Sequence, residues 1–276
     1  MTALSSIGRW AGDYDVPNTA ALVRTAGRVL ETRGDQDRVF RLASVTKLLT
    51  CYAVMVAVQE ESVGLDDPAG PPGSTLRHLL AHTSGYGFES GAGILGPPGT
   101  RRTYSNQGFE VLTAQLTSVT GIEFAEYLSE AVFDPLGMTA THLRGSSAAG
   151  GWGTVADLSR FAAELLAPVL LEPATFRDLI TVQFPGLAGV LPGVGRFDPL
   201  DWGLGVERNF GRTGHWAGPS PSRQSFGHFG GAGTFLWVDP DHGIACICLN
   251  DRDFGAWSLE AWPPLCTAVL RTYSGV

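Results

Sequence analysis

The chain has 276 residues, a formal net charge of −8, 44% hydrophobic residues and 17% charged residues. That length buries a full core, in one large domain or two intimate ones, and the composition is that of an ordered globular protein. An acidic balance without any basic cluster argues against nucleic acid or an anionic membrane as a partner. Met1 to Pro17 has no basic start followed by an apolar run, so no secretion signal is read there and the cytoplasm is the expected location. No stretch approaches the roughly twenty apolar residues of a membrane-spanning helix.

In chain order, Met1 to Pro17 is polar and aromatic without a clear period. Thr19 to Arg24 and Arg28 to Thr32 read as two strands of a hairpin turned at Ala26-Gly27. Val39 to Leu42 is a third extended piece, leading into an apolar helix that runs from Leu48 through Val58 to about Glu61. A Pro/Gly cluster to Gly73 breaks it. Ser74 to Ala81 is a short helix capped by Ser74 or Thr75. The loop Tyr86 to Gly99 is too long for a mere connector, and loops of that kind are functional or mobile. Helices are predicted over Gln107 to Thr120, Ile122 to Val132 (stopped at Asp134-Pro135), Val155 to Leu166 and Pro173 to Val182. Trp202 to Arg208, Gln224 to Phe229, Thr234 to Val238 and Gly243 to Leu249 read as strands. Ser258 to Tyr273 reads as an amphipathic helix interrupted by Pro263-Pro264. Strands at both ends with helices between predict an α+β fold: one antiparallel sheet closed by the two ends of the chain, with an inserted, mostly helical subdomain. The sheet region is expected over about residues 1–62 and 200–276 and the helical subdomain over about 63–199, all within a single domain, with the site in the groove between them.

Four cysteines, Cys51, Cys246, Cys248 and Cys266, lie in apolar patterns and read as buried free thiols rather than a metal or disulfide set. His78 and His82 are four apart, but no His-Glu-x-x-His accompanies them, so no metal site is expected. There is no Gly-x-Ser-x-Gly elbow.

Of nineteen basic residues, eighteen are arginine and one is lysine, Lys47. Arginine stays protonated in any protein setting, whereas a buried lysine can be tuned to lose its proton. Lys47 follows Ser44 by three residues at the start of the apolar helix, so the two side chains share a helix face. The free N–H groups and dipole of that helix start favour negative charge near Ser44. A hydroxyl there beside a neutral amine is an activated nucleophile. The plainer reading is an N-cap serine followed by a solvated lysine.

Two further clusters carry chemistry. Tyr104-Ser105-Asn106 enters a helix from a loop: a phenol relays a proton when cations lower its pKa, and an amide offers donor and acceptor to a substrate carbonyl. An N-capped turn is the alternative. His228-Phe229-Gly230-Gly231 leaves an apolar strand, where small residues let substrate lie against the strand edge. The N–H of Gly231 can pair with that of Ser44 as an oxyanion hole. His228 can bond Tyr104 or polarise the site near neutral pH. A strand histidine before a glycine bulge is the alternative.

Ser44-Val45-Thr46-Lys47, Tyr104-Ser105-Asn106 and His228-Phe229-Gly230, in this order, resemble the three signatures of the penicillin-binding-protein and class C β-lactamase superfamily of serine hydrolases. Leu79-Leu80-Ala81-His82-Thr83-Ser84-Gly85, Asp134-Pro135-Leu136-Gly137-Met138 and Trp202-Gly203-Leu204-Gly205 resemble its flanking text. The resemblance runs from about Val39 to the C-terminus. It implies an α/β/α sandwich with a helical insert and acyl-serine chemistry without metal or cofactor. The N-terminal segment is short for the long helix that family packs on its sheet. His228 stands where β-lactamases and most penicillin-binding proteins carry lysine, and so resembles the esterase branch and some D-amino-acid peptidases. The expectation is a carboxylesterase on small acyl esters. A D-amino-acid peptidase or weak β-lactamase is the alternative, and a non-catalytic protein on the same fold the second. The expected partner is a small ester or amide; oligomeric state is not legible. Ser44 is the expected nucleophile, Lys47 or Tyr104 the base, Asn106 and Gly230 substrate contacts, and His228 the support of Tyr104.

Overall fold

The computed structural model describes residues 2–208 and 210–274. Five strands make the main sheet: β1 Thr19–Arg24, β2 Val29–Arg33, β3 Phe226–Gly230, β4 Thr234–Asp239 and β5 Ile244–Asn250. Their order is β2-β1-β5-β4-β3, antiparallel throughout. The sheet closes where β1, from the start of the chain, pairs with β5 from its end, Thr19 opposite Asn250 and Arg24 opposite Ala245.

β1, β3, β4 and β5 are buried on both faces, and alternate side chains go to two cores. Ala20, Leu22, Leu236, Val238, Ala245, Ile247 and Leu249 join a core with the helices Thr46–Gln59 and Val155–Leu166. Ala21, Val23, Phe235, Trp237, Cys246 and Cys248 join a second core with the helices Ile7–Asp13 and Ala256–Tyr273. The result is the expected helix–sheet–helix sandwich. The helix Thr46–Gln59 is buried on every side from Thr46 to Ala57, as a helix apolar all round must be. All four cysteines are buried free thiols, as their patterns predicted. No helix among the described residues is long and apolar enough to cross a membrane.

Four local expectations are corrected. The start of the chain is ordered: a 3₁₀ turn Ala3–Ser6 leads into the helix Ile7–Asp13. Its apolar face is only Leu4, Ile7 and Trp10, too few to register as a period, and Trp10 is fixed by stacking on Trp257 at 5.7 Å. Trp202 to Arg208 is a tight turn rather than a strand. Gly203 N–H bonds the Val206 carbonyl at 2.8 Å, and Gly205 takes a φ of +79° where a Cβ would meet Cys51. The helix near residue 122 begins at Phe124 and passes the expected stop. It widens to a π turn over Ser129–Phe133 and ends at left-handed Gly137. Finally, Pro263 and Pro264 do not interrupt Ala256–Tyr273. Trp262 before them and Leu265 and Cys266 after them are fully buried, and this anchoring on the second core outweighs the lost backbone bonds.

Candidate active site

The first core delivers the Ser-x-x-Lys pair. Phe40–Arg41 pairs with Gly151–Gly153, and the chain then tightens into a 3₁₀ turn, Ala43–Val45, at the head of the helix Thr46–Gln59. Ala43 has a left-handed φ of +46°, a conformation a non-glycine residue adopts only when its surroundings enforce it. Thr46 provides the enforcement: its hydroxyl donates to the Ala43 carbonyl at 2.5 Å and accepts from Gly151 N–H at 2.9 Å. Ser44 is left half-buried at the tip of the turn, and Lys47 is fully enclosed behind it.

Lys47 Nζ has three polar neighbours: Asn106 Oδ1 at 2.6 Å, the Ala148 carbonyl at 3.0 Å and Ser44 Oγ at 3.4 Å. A backbone carbonyl only accepts. The Asn106 amide is oriented by Glu89, whose Oε1 accepts from Nδ2 at 2.8 Å, so Oδ1 faces the lysine. Two N–H bonds are thereby committed, and in the neutral amine the remaining direction, toward Ser44, is the lone pair. Burial pushes the Lys47 pKa down to about 7, while the charges of Glu110 and Glu89 work against that fall. The rings of Tyr104 and Phe109, with centroids 4.7 and 5.3 Å from Nζ, also favour the charged form.

Tyr104 leaves a two-residue strand, Arg102–Thr103, just before Ser105 caps the helix Asn106–Thr120 by accepting from Gly108 N–H. Its ring is wedged against His82 at 4.5 Å and Trp202 at 5.8 Å between centroids. The Tyr104 hydroxyl lies 3.3 Å from His228 Nε2. His228 Nδ1 is 2.6 Å from the Phe229 carbonyl and must donate to it, so Nε2 is the acceptor and the phenol the donor. The cation effect anticipated for Tyr104 is outweighed: burial raises its pKa, the Glu207 and Glu89 charges add to the rise, and a hydrogen bond with Ser44 only partly opposes them. His228 does not titrate near neutrality either. Burial and the nearby Lys47 charge push it down to about 3.

β3 carries His228 beside the serine turn. Gly230 is the point of contact: a Cβ there would lie 2.3 Å from the Leu42 carbonyl and 3.2 Å from Ala43 Cβ. Thr234 secures the same junction by donating to the Leu42 carbonyl at 2.8 Å. Gly231 then turns out to solvent, and its N–H makes no turn or loop backbone bond among the described residues. Ser44, Tyr104, His228 and Gly231 together line a cavity of about 240 Å³ whose remaining wall includes Phe88, Leu191, Phe229 and Phe254.

Asn106 is drawn to Lys47 and Glu89 and does not line that cavity. Three contributors were missed from sequence. Glu89 is the only charged residue between Tyr86 and Gly99, which was an available signal. Phe254 arrives from a loop without a pattern. The Ala148 carbonyl is backbone, on which side-chain patterns are silent.

The chain belongs to the β-lactamase family, whose model matches residues 8–265. A crystal structure described as a β-lactamase from Mycobacterium bovis superposes with a TM-score of 0.95 at 51% identity, covering 99% of this chain and all of that one. A D-alanyl-D-alanine-carboxypeptidase/endopeptidase, AmpH of Escherichia coli, is 28% identical over 145 residues, 40% of this chain and only 38% of its own length. Esterase EstB of Burkholderia gladioli is 37% identical over 79 residues, 24% of this chain and 19% of its own.

Proposed function

We propose that this chain is a serine hydrolase that works through an acyl-serine intermediate, and that its substrates are small carboxylic esters. The observation that carries the reading is the Lys47 amine. It is buried, is lowered to about 7, and holds two fixed acceptors with its third direction on Ser44 Oγ.

In this mechanism neutral Lys47 takes the Ser44 proton as Oγ attacks the acyl carbon. The N–H groups of Ser44 and Gly231 receive the developing oxyanion. When the tetrahedral species collapses, the Tyr104 hydroxyl turns from His228 Nε2, gives its proton to the departing alkoxide and takes up in exchange the proton that Lys47 removed from Ser44. Water then attacks the acyl-enzyme, Lys47 accepts its proton and returns it to Ser44 Oγ, which leaves as the alcohol. Asn106 holds the lysine rather than the acyl group. His228, neutral and accepting from Tyr104, fixes the direction of the phenol.

Two features support esters over amides or β-lactams. The cavity beside Ser44 is walled by Phe88, Phe229 and Phe254 and has no cationic side chain in its lining. The third signature itself carries no positive charge beside Ser44, because His228 is neutral. The peptidase reading keeps the same chemistry and is favoured by the AmpH likeness. The test compares p-nitrophenyl butyrate, a D-Ala-D-Ala peptide and nitrocefin, with intact-mass detection of the acyl adduct on Ser44. Turnover highest on the butyrate, with the adduct lost in Ser44→Ala, is expected. Folded protein that neither hydrolyses any of the three nor labels with a fluorophosphonate would make this a binding protein.

A further inference from the structure

At Tyr104 the cavity beside Ser44 adjoins a second, larger hollow of about 480 Å³. Phe88, Tyr104 and Pro192 belong to the walls of both. The far wall is a small sheet of Arg102–Thr103, Gly189–Leu191 and Gly195–Phe197. Its register sets Thr103 beside Val190, and Val190 opposite Arg196. Cross-strand neighbours project from the same face, and these three side chains all line the hollow. Arg101 lines it too.

Three arginines border this space, and they are not equivalent. Arg102 is buried and spends its guanidinium on the carbonyls of Leu200, Ala81, Gln183 and Phe184. Arg101 and Arg196 are exposed, and Arg101 makes one bond, to the Leu95 carbonyl at 3.0 Å. Among the described residues neither Arg101 nor Arg196 joins an ion pair. No residue lining the hollow is acidic. Two uncompensated cations on one hollow stand out in a chain of net charge −8. Between them and Tyr104 the wall is apolar and open to solvent, with Phe88, Leu95 and Val190 exposed by 43%, 49% and 57%.

We propose that this hollow receives the departing alcohol of the substrate, and that Arg101 and Arg196 read a carboxylate carried on that alcohol beyond an apolar spacer. The inference rests on the hydrolase reading above. Tyr104 stands between the two spaces and gives its proton to the departing oxygen, so the acyl group fills the first cavity and the alcohol lies toward the second. A guanidinium fork matches a carboxylate with paired N–H donors. The apolar exposed wall suits a short methylene or aryl spacer. The preferred substrate is therefore an acyl ester of an ω-hydroxy acid.

The test uses 6-(butyryloxy)hexanoate and the corresponding primary amide, 6-(butyryloxy)hexanamide, which share acyl group and scissile ester bond and differ in terminal charge. The wild-type kcat/KM should favour the carboxylate by about tenfold at low ionic strength, and the preference should shrink as salt is added. In the Arg101→Gln/Arg196→Gln double variant the ratio should fall to near one, and Arg196→Glu should invert it. A wild-type ratio near one, or a ratio unchanged in the double variant, would overturn the proposal. The same pair of ligands is then bound calorimetrically to Ser44→Ala protein, with and without the two arginine changes. If wild type cleaves neither ester, the hydrolase reading fails, yet this binding ratio still decides whether the hollow selects a carboxylate.

Discussion

Lys47 lies behind Ser44 and His228 beside Tyr104, and both side chains are fully buried. Burial is the leading cause of a lowered pKa at both, yet the outcomes differ. Lys47 falls from 10.5 to about 7 and His228 from 6.5 to about 3. Burial lowers the pKa of both cations, and the landing points differ because the starting points do. The same dry environment therefore turns an amine into a group that exchanges protons near neutrality and turns an imidazole into a permanent acceptor. Neighbouring charge acts second. Glu110 and Glu89 face the lysine and keep it from falling further, whereas the histidine faces the lysine itself.

The hardest blow to this contrast is Lys47→Arg. It keeps the positive charge but removes the group proposed to accept the serine proton, so kcat/KM on p-nitrophenyl butyrate should drop by about a thousandfold or more. Near-wild-type turnover would end the role given to Lys47. Tyr104→Phe preserves the ring packing and deletes the proton donor. A loss of about a hundredfold in kcat is expected, with the acid limb of the pH profile unmoved. His228→Gln retains an acceptor for the phenol and should cost about tenfold or less. Since His228 is already neutral, that variant should show the same pH limbs as wild type; a limb that vanishes with it would show the imidazole titrating after all.

The smallest effect is the most discriminating. Activity needs neutral Lys47, so kcat/KM should rise with pH through about 7, the value to which burial lowers the amine. The Glu89 charge raises that pKa, so Glu89→Gln should move the acid limb to lower pH, by about half a unit given the exposure of the carboxylate. A limb that moves upward, or not at all, would leave Glu89 only the task of orienting Asn106.

Much of this was legible from residue order. The five main strands and the first-core helices Thr46–Gln59 and Val155–Leu166 follow from apolar segments bounded by turn residues. The side chains of Ser44, Lys47, Tyr104 and His228, singled out from residue order, adjoin one another. What was illegible depended on three dimensions. The anticipated lowering of the Tyr104 pKa presumed that nearby cations outweigh desolvation, and only the depth at which the ring is enclosed decides that. Asn106 reads alone as a substrate contact because its two partners, Lys47 and Glu89, come from distant segments. Pro263-Pro264 reads as a break because the grip of Trp262 and Cys266 on the sheet is invisible in one dimension.

The junction at Leu42 has a bearing on how the protein is made. Its carbonyl is clasped by Thr234, 192 positions later in the chain, and the first strand of the sheet waits for the last as its partner. A ribosome that pauses before β3 is made holds a serine turn that still lacks its contacts with Gly230 and Thr234. Native-like hydrolytic power should thus appear late and abruptly during synthesis, and no early fragment should be able to cleave esters in the cell.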